Sequence, residues 1–252
     1  MSEVDREYIY REMVALADRH WWFRTHYRSL FHFARGGLGE GGNLLDVGCG
    51  PGGASRHYGP GWRKVLLDYE FCALSSYLME SGERVQARAG QIPLGTGTFD
   101  FVICSDTLHQ TSVDNTREAV SEMARVCRPG GKILLAEPAF NCLFGPHDDV
   151  EGGCRRFTCS SLAGLGSGLP LRVVRSTYIH LTAFFPALLV RRIQRLPGIR
   201  KKIRTAGKTD LALSNPVVNT IWTLLGRLEG RILQRLVFPL GTTAAVLLEK
   251  ER

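Results

Sequence analysis

Short, continuous apolar runs that end in an acid or a small polar residue recur through the first part of the chain. Leu44-Leu45-Asp46-Val47, Val65-Leu66-Leu67-Asp68 and Phe99 to Ser105 have the pattern of strands buried on both faces, not the alternation of a half-exposed sheet. This reading places strands near 43–47, 64–68, 84–88, 99–105 and 131–137, with helical patterns between them. Leu171 to Ile179 and Thr242 to Lys250 supply a sixth and a seventh strand, the last antiparallel. Asn115 to Cys127 has helical spacing, and so do residues 2–35, where Trp21, Trp22, Phe23, Tyr27, Phe31 and Phe33 concentrate. Strand and helix in alternation imply an α/β fold. The expected architecture is a doubly wound, seven-stranded, mostly parallel sheet with N-terminal helices and a helical insert before the last strand.

The chain has 252 residues, 44% of them hydrophobic, which suits one domain with elaborations. Seven cysteines, at 49, 72, 104, 127, 142, 154 and 159, lack paired CxxC spacing, so neither a disulfide framework nor a metal site is expected. The first residues are acidic and mixed, unlike a secretory leader, and the expected location is cytoplasmic. The net charge of +8 is unevenly spread: residues 151–252 hold 17 cations and 5 acids, with no acid between Glu151 and Asp210. Within that half, an apolar run from Tyr178 to Val190 is too short to span a bilayer. Arg191 to Arg204 then alternates Ile193, Leu196, Ile199 and Ile203 with cations, and Pro197-Gly198 divides it into two expected short helices. The basic region 191–208 fits either peripheral contact with an anionic membrane or a solvated lid face.

The run Asp46-Val47-Gly48-Cys49-Gly50-Pro51-Gly52-Gly53 carries the main chemistry. Glycines let the backbone turn sharply and lie against a ligand, and a helix starting after them would offer unpaired N–H groups. Gly48, Gly50 and Gly53 also satisfy GxGxxG, the spacing of a dinucleotide-binding turn. Asp46, two residues before the first glycine, favours a cationic ligand over a pyrophosphate. Asp68, at the end of the next strand, can accept from ribose hydroxyls in either case.

Four blocks in order, DVGCGPGG, LLDYE, IPLGTGTFDFVICSDTLH and VCRPGGKILLAEPAF, resemble a class I S-adenosylmethionine-dependent methyltransferase over roughly residues 40–140. Looser flanking matches, His20 to Arg24, His147-Asp148, Arg155 to Thr158 and Phe238 to Gly241, are similar to a subgroup acting on small molecules. The resemblance implies one domain over 1–252: a helical lid at 1–38, a cofactor-binding core at 40–179, an insert at 180–241 and a final strand at 242–252. It implies that Gly48, Cys49 and Gly50 pass the methionine part, Asp46 orients its ammonium, and Gly52 eases entry into a helix. Asp68 would hold the ribose, Tyr69 and Ala89 the adenine, Ser105 the methionine side, and Trp22 would close the pocket. Where the family often has an acid to read the adenine amino group, this chain has Arg88, which cannot accept that bond.

His109, just beyond the fourth strand, and His147, in the loop after the fifth, are the candidate general bases. Trp21, Arg155 and Arg156 are candidate substrate contacts, the arginines through planar forks suited to carboxylate or phosphate. The expected reaction is methyl transfer from S-adenosylmethionine to an oxygen, nitrogen or carbon of a small organic molecule. A natural-product acceptor suits a chain with 26 arginines against 6 lysines, as in a high-GC bacterial coding sequence, and the subgroup resemblance implies that a lipid-linked acceptor is also open. The alternatives are a protein that keeps the cofactor while steering another reaction or a partner, and a nicotinamide oxidoreductase. A nucleic-acid substrate is not expected, because Cys104-Ser105-Asp106-Thr107 stands where a base-holding Asn-Pro-Pro-aromatic block would be.

Overall fold

A computed structural model describes residues 3–76, 82–145, 148, 152–195 and 215–252. Its centre is a seven-stranded sheet of β1 (Gly42–Val47), β2 (Trp62–Asp68), β3 (Glu83–Gln86), β4 (Phe99–Ser105), β5 (Cys127–Pro138), β6 (Leu171–Ile179) and β7 (Thr243–Lys250). The order across the sheet is β3-β2-β1-β4-β5-β7-β6; β7 runs antiparallel to both neighbours and the other pairings are parallel. The order reverses between β1 and β4. In an open α/β sheet the crevice at such a reversal, beyond the C-terminal strand ends, is where ligands bind.

Alternate residues of the central strands feed two cores. Leu45, Val47, Val102, Cys104, Ile133 and Leu135 pack on one face with Ala119, Val120 and Met123 of α4 (Thr116–Val126) and Leu162 of α5 (Cys159–Gly164). Leu44, Phe101, Ile103, Leu134 and Ala136 face the other way, onto Leu30, Phe33 and Ala34 of α2 (Trp21–Ala34). The amphipathic spacing around 115–127 is realised in α4, and Asn115 caps it by accepting from the N–H groups of Arg117 and Glu118.

Two expectations change. No α-helix follows β1: residues 48–54 form turns, and a single 3-10 turn at Ser55–His57 leads on toward β2. Glycine or proline occupies eight of the fourteen positions from 48 to 61, and such a composition cannot sustain a helix. Gly52 therefore serves a turn at φ +84°, not a helix entry. Between β3 and β4 there is likewise no helix, and after β2 the described helix is only α3 (Phe71–Ser75). Beside the β1–β2 connection, Leu30, Phe33 and Ala34 of α2 pack with Ala54, Tyr58 and Trp62 in place of a helix. The second difference is in β5, which begins at Cys127 and not at 131; Arg128 to Gly131 loop out of its ladder with β4, whose register shifts between Phe99 and Phe101.

Helix α1 (Glu3–Leu16) and α2 precede the sheet, and α6 (Leu181–Gln194) and α7 (Pro216–Ile232) stand between β6 and β7. Helix α7 lies close against α2 because Gly226 and Gly230 present no side chain to it; a Cβ on Gly226 would come within 2.8 Å of Thr25 Cβ. Asn219 ties the pair by accepting from the Trp21 N–H at 2.8 Å and donating to the Arg19 carbonyl at 2.9 Å. Buried Glu229 of α7 accepts from the N–H groups of Leu181 and Thr182, which fixes the start of α6 just after His180 at φ +61°. Of the basic region 191–208, residues 196–208 lie outside the described residues.

Candidate functional site

A cleft of about 1170 Å³ opens at the C-terminal strand ends. Trp21, Trp22, Gly48, Cys49, Gly50, Asp68, Tyr69, Ala89, Ser105, His109 and Arg156, drawn from the sequence reading, all line it. Asp46, Gly52 and Arg155 do not, and His147 lies outside the described residues.

The glycine turn forms one end. Gly48 and Gly50 have φ of +67° and +51°, and a Cβ on Gly48 would sit 2.1 Å from the Thr107 hydroxyl, so only glycine fits there. The Gly48 and Cys49 N–H groups donate to the Leu67 carbonyl, and the Gly50 N–H donates to Asp68 at 2.8 Å. Asp68 also accepts from the Glu70 N–H at 2.9 Å, so one carboxylate holds the turns after both β1 and β2. Burial pushes the Asp68 pKa up, against the pull of these bonds. Tyr10 of α1 reaches over Gly50 and lines the cleft with Ile9 and Met13, which makes α1 a cover for this end. Asp46 is buried behind the turn, where it accepts from the Ser55 N–H at 3.1 Å; burial raises its pKa to about 6. It braces the loop and does not face the cleft.

Beyond β3, Arg88 folds onto the Tyr69 ring, its guanidinium 4.3 Å from the centroid, and donates to the Tyr69 hydroxyl at 3.2 Å. The position at which the family often has an adenine-reading acid thus carries a cation paired with an aromatic face.

The other end is organised by a residue the sequence reading passed over. Glu137, fully buried at the end of β5, accepts from the N–H groups of Thr107, Leu108 and His109 and from His109 Nδ1 at 2.9 Å. Burial opposes a charge on His109, but the bond to Glu137 and the charges of Glu137, Asp106 and Asp148 together raise its pKa above the ordinary 6.5. Because Glu137 accepts the hydrogen bond of Nδ1–H, Nε2 is left as the acceptor of the neutral ring. The signal for Glu137 was present in LLAEP, an acid closing an apolar strand beside the β4 end.

Asp106, at φ +54°, bonds His26 Nε2 at 2.9 Å and Ser105 Oγ at 2.8 Å. Burial would raise its pKa, yet His26, His109 and Ser105 outweigh this and lower it. His26 stacks on Trp22 at 4.2 Å between ring centroids, and Trp21 packs on Trp222 of α7 and on His180. The Arg156 side chain is buried against Asp148 with three bonds of 2.8, 3.0 and 3.2 Å and also donates to the Ala139 carbonyl. Arg155 donates to the Leu108 and Val113 carbonyls, so its fork braces the loop after β4 instead of facing an anion in the cleft. Among the described residues no group of three or more His, Cys, Asp or Glu is placed to hold a metal ion.

The residues present fit an S-adenosylmethionine-sized ligand. A cradle that admits no Cβ at Gly48, strand-end acid Asp68 and an aromatic surface at Tyr69 follow one another along a single cleft. Residues 45–135 match the family model described as a methyltransferase domain. Over residues 45–135 the chain is therefore similar to methyltransferase domains, and its central sheet has the strand order described above. It is 34% identical over 107 residues to a malonyl-[acyl-carrier protein] O-methyltransferase from Enterobacter lignolyticus, covering 40% of each chain. It is 32% identical over 121 residues to the human thiol S-methyltransferase TMT1B, covering 44% of this chain and 49% of that one. The match thus spans less than half the length of these curated relatives. Among solved structures, the [4+2]-cyclase SpnF shares the fold with a TM-score of 0.58 at 16% identity, over 91% of this chain and 81% of that one.

Proposed function

We propose that this chain transfers a methyl group from S-adenosylmethionine to a small organic acceptor bound between His109 and the tryptophans of α2 and α7. The observation that carries the reading is the continuity of one cleft from the glycine turn to the Glu137-held His109. Bound S-adenosylmethionine supplies a methyl carbon already activated on a sulfonium, so alignment, exclusion of water and removal of a proton from the acceptor are what remain.

In this reading Gly48, Cys49 and Gly50 border the methionine part, Asp68 accepts from the ribose, and Tyr69 with Ala89 borders the adenine. Asp46 acts through the turn it braces. His109 Nε2 takes the acceptor proton, and Glu137 holds the ring while stabilising the imidazolium that results. Trp21, Trp22 and Trp222 give the acceptor an apolar, largely dry wall. Arg156, neutralised by Asp148, lends polarity rather than a free charge to that wall. The relatives named above act on an acyl-carrier-linked acid and on a thiol; a small-molecule acceptor is the common ground, and a natural-product or lipid-linked intermediate is the proposed kind.

Two measurements test this. S-adenosylhomocysteine should raise the melting temperature, and no response at millimolar ligand would overturn the reading. His109→Gln should leave that response intact while kcat for acceptor methylation, followed by mass spectrometry, falls about 10²- to 10⁴-fold. An unchanged kcat would remove His109 as the base.

A further inference from the structure

Two helices of the insert turn apolar side chains outward. On α6, Phe185, Leu189 and Ile193 are spaced four residues apart and form one stripe. On α7, Val217, Ile221, Leu224 and Leu228 follow at spacings of four, three and four, also one stripe. These seven side chains are between 45% and 67% exposed, although leucine, isoleucine, valine and phenylalanine are the residues most often hidden. Rows of this kind mark a surface that something covers.

The charges around the rows say what. Exposed Arg192 lies three residues beyond Leu189, on the same face of α6, and exposed Arg227 and Arg231 lie three residues beyond Leu224 and Leu228 on α7. In sequence the connection between the helices adds Arg200, Lys201, Lys202, Arg204 and Lys208 against one acid, Asp210. The remaining acid of the insert, Glu229, is buried and occupied with the start of α6. A second copy of the chain meeting this face with its own would set arginine against arginine, with no exposed acid on α6 or α7 to offset it. An anionic bilayer offers the complementary charge and, below its headgroups, an apolar layer for the stripes.

We propose that the outward faces of α6 and α7 dock the protein on an anionic membrane surface. The docking elements differ from those the sequence pattern suggested, because Arg191 is buried and Arg195 donates to the carbonyls of Asn141, Cys142 and Phe144. No helix of the described residues is long and apolar enough to cross a membrane, so the helices lie on the surface. The flank of α6 beside the stripe supplies Ala183, Pro186, Ala187 and exposed Val190 to the cleft, so docking sets the cleft mouth beside the lipid.

The test is flotation of the full-length chain with phosphatidylcholine vesicles, with and without phosphatidylserine. The wild-type chain should float with the anionic vesicles only, and less as salt increases. Phe185→Ser with Leu189→Ser, Ile221→Ser and Leu228→Ser should cut partitioning more than about tenfold, and so should Arg192→Glu with Arg227→Glu and Arg231→Glu. Both sets alter exposed positions and should keep the wild-type melting temperature; if the serine set misfolds, the glutamate set decides. Failure of the wild-type chain to float with anionic vesicles overturns the proposal, as does flotation of a folded variant at the wild-type level. A dimer in sedimentation velocity that the serine set dissolves, without vesicle binding, overturns it in favour of self-association.

Discussion

At the glycine end of the cleft the backbone does the holding: Gly48 and Gly50 sit at positive φ, and Asp68 collects the N–H groups of Gly50 and Glu70. At the His109 end the working surface is side chains gathered from α2, the loop after β4, β5, α6 and α7. The first end is made by neighbouring strands within one stretch of sequence, and its tolerance is set by where a Cβ can go. The second is made by long-range packing, anchored on a carboxylate at the end of β5. Ligand binding and turnover should therefore respond to different substitutions. A donor site built from backbone also suits one fixed ligand, whereas side chains on an insert can be exchanged to suit an acceptor.

The strongest challenge to that separation is Glu137→Ala. It strips four donors of a buried acceptor and should cost about 3–5 kcal/mol of stability, read by denaturant unfolding. A cost below about 1 kcal/mol would mean that the loop after β4 is held by something else. Gly48→Ala forces a Cβ into Thr107 at a left-handed φ and should cost about 3 kcal/mol. It should also abolish the thermal response to S-adenosylhomocysteine. Gly226→Val pushes α7 off Thr25 of α2 and should cost about 1–3 kcal/mol. It should raise KM for the acceptor while leaving ligand-induced stabilisation in place; loss of both together would show the two ends to be one unit.

Acidity separates stability from turnover at one residue. The folded-state pKa of His109 is raised, so its ion pair with Glu137 contributes stability that is full below the ordinary value of 6.5 and is lost as pH rises through the folded pKa. The neutral ring needed to accept a proton appears over that same interval. Stability should thus fall while kcat climbs, and His109→Gln should flatten both profiles. Matching trends of the two quantities in the wild-type protein would contradict the base assignment. The smallest effect expected is at Arg88→Ala, which removes a cation from the exposed Tyr69 face, worth about 0.5–1 kcal/mol. Calorimetry with S-adenosylhomocysteine should show a change within about fivefold in Kd.

Periodicity and turn chemistry along the chain were enough for the sheet. Each of the seven strands stands within a few residues of its expected place because a run such as Leu44 to Val47 can be satisfied only between two other strands. The glycine turn and Asp68 were legible for the same local reason, since positive φ and strand-end acids leave a mark in composition. The missing helix after β1 was legible too, in the glycines and prolines of 48–61, but the expectation of alternation overrode it.

What tertiary structure alone decided is where the side chains of distant segments meet. Asp46 looked like a ligand contact, and the fold turned it inward onto Ser55; Arg155 looked like an anion fork, and the fold spent it on two carbonyls. Glu137 is 28 residues from His109 in sequence, and the shared register of β4 and β5 makes them neighbours. Local pattern is written in residue order because backbone conformation is chosen within a few residues. Pairing between elements is chosen by packing, which brings together positions that no spacing in the sequence marks as partners.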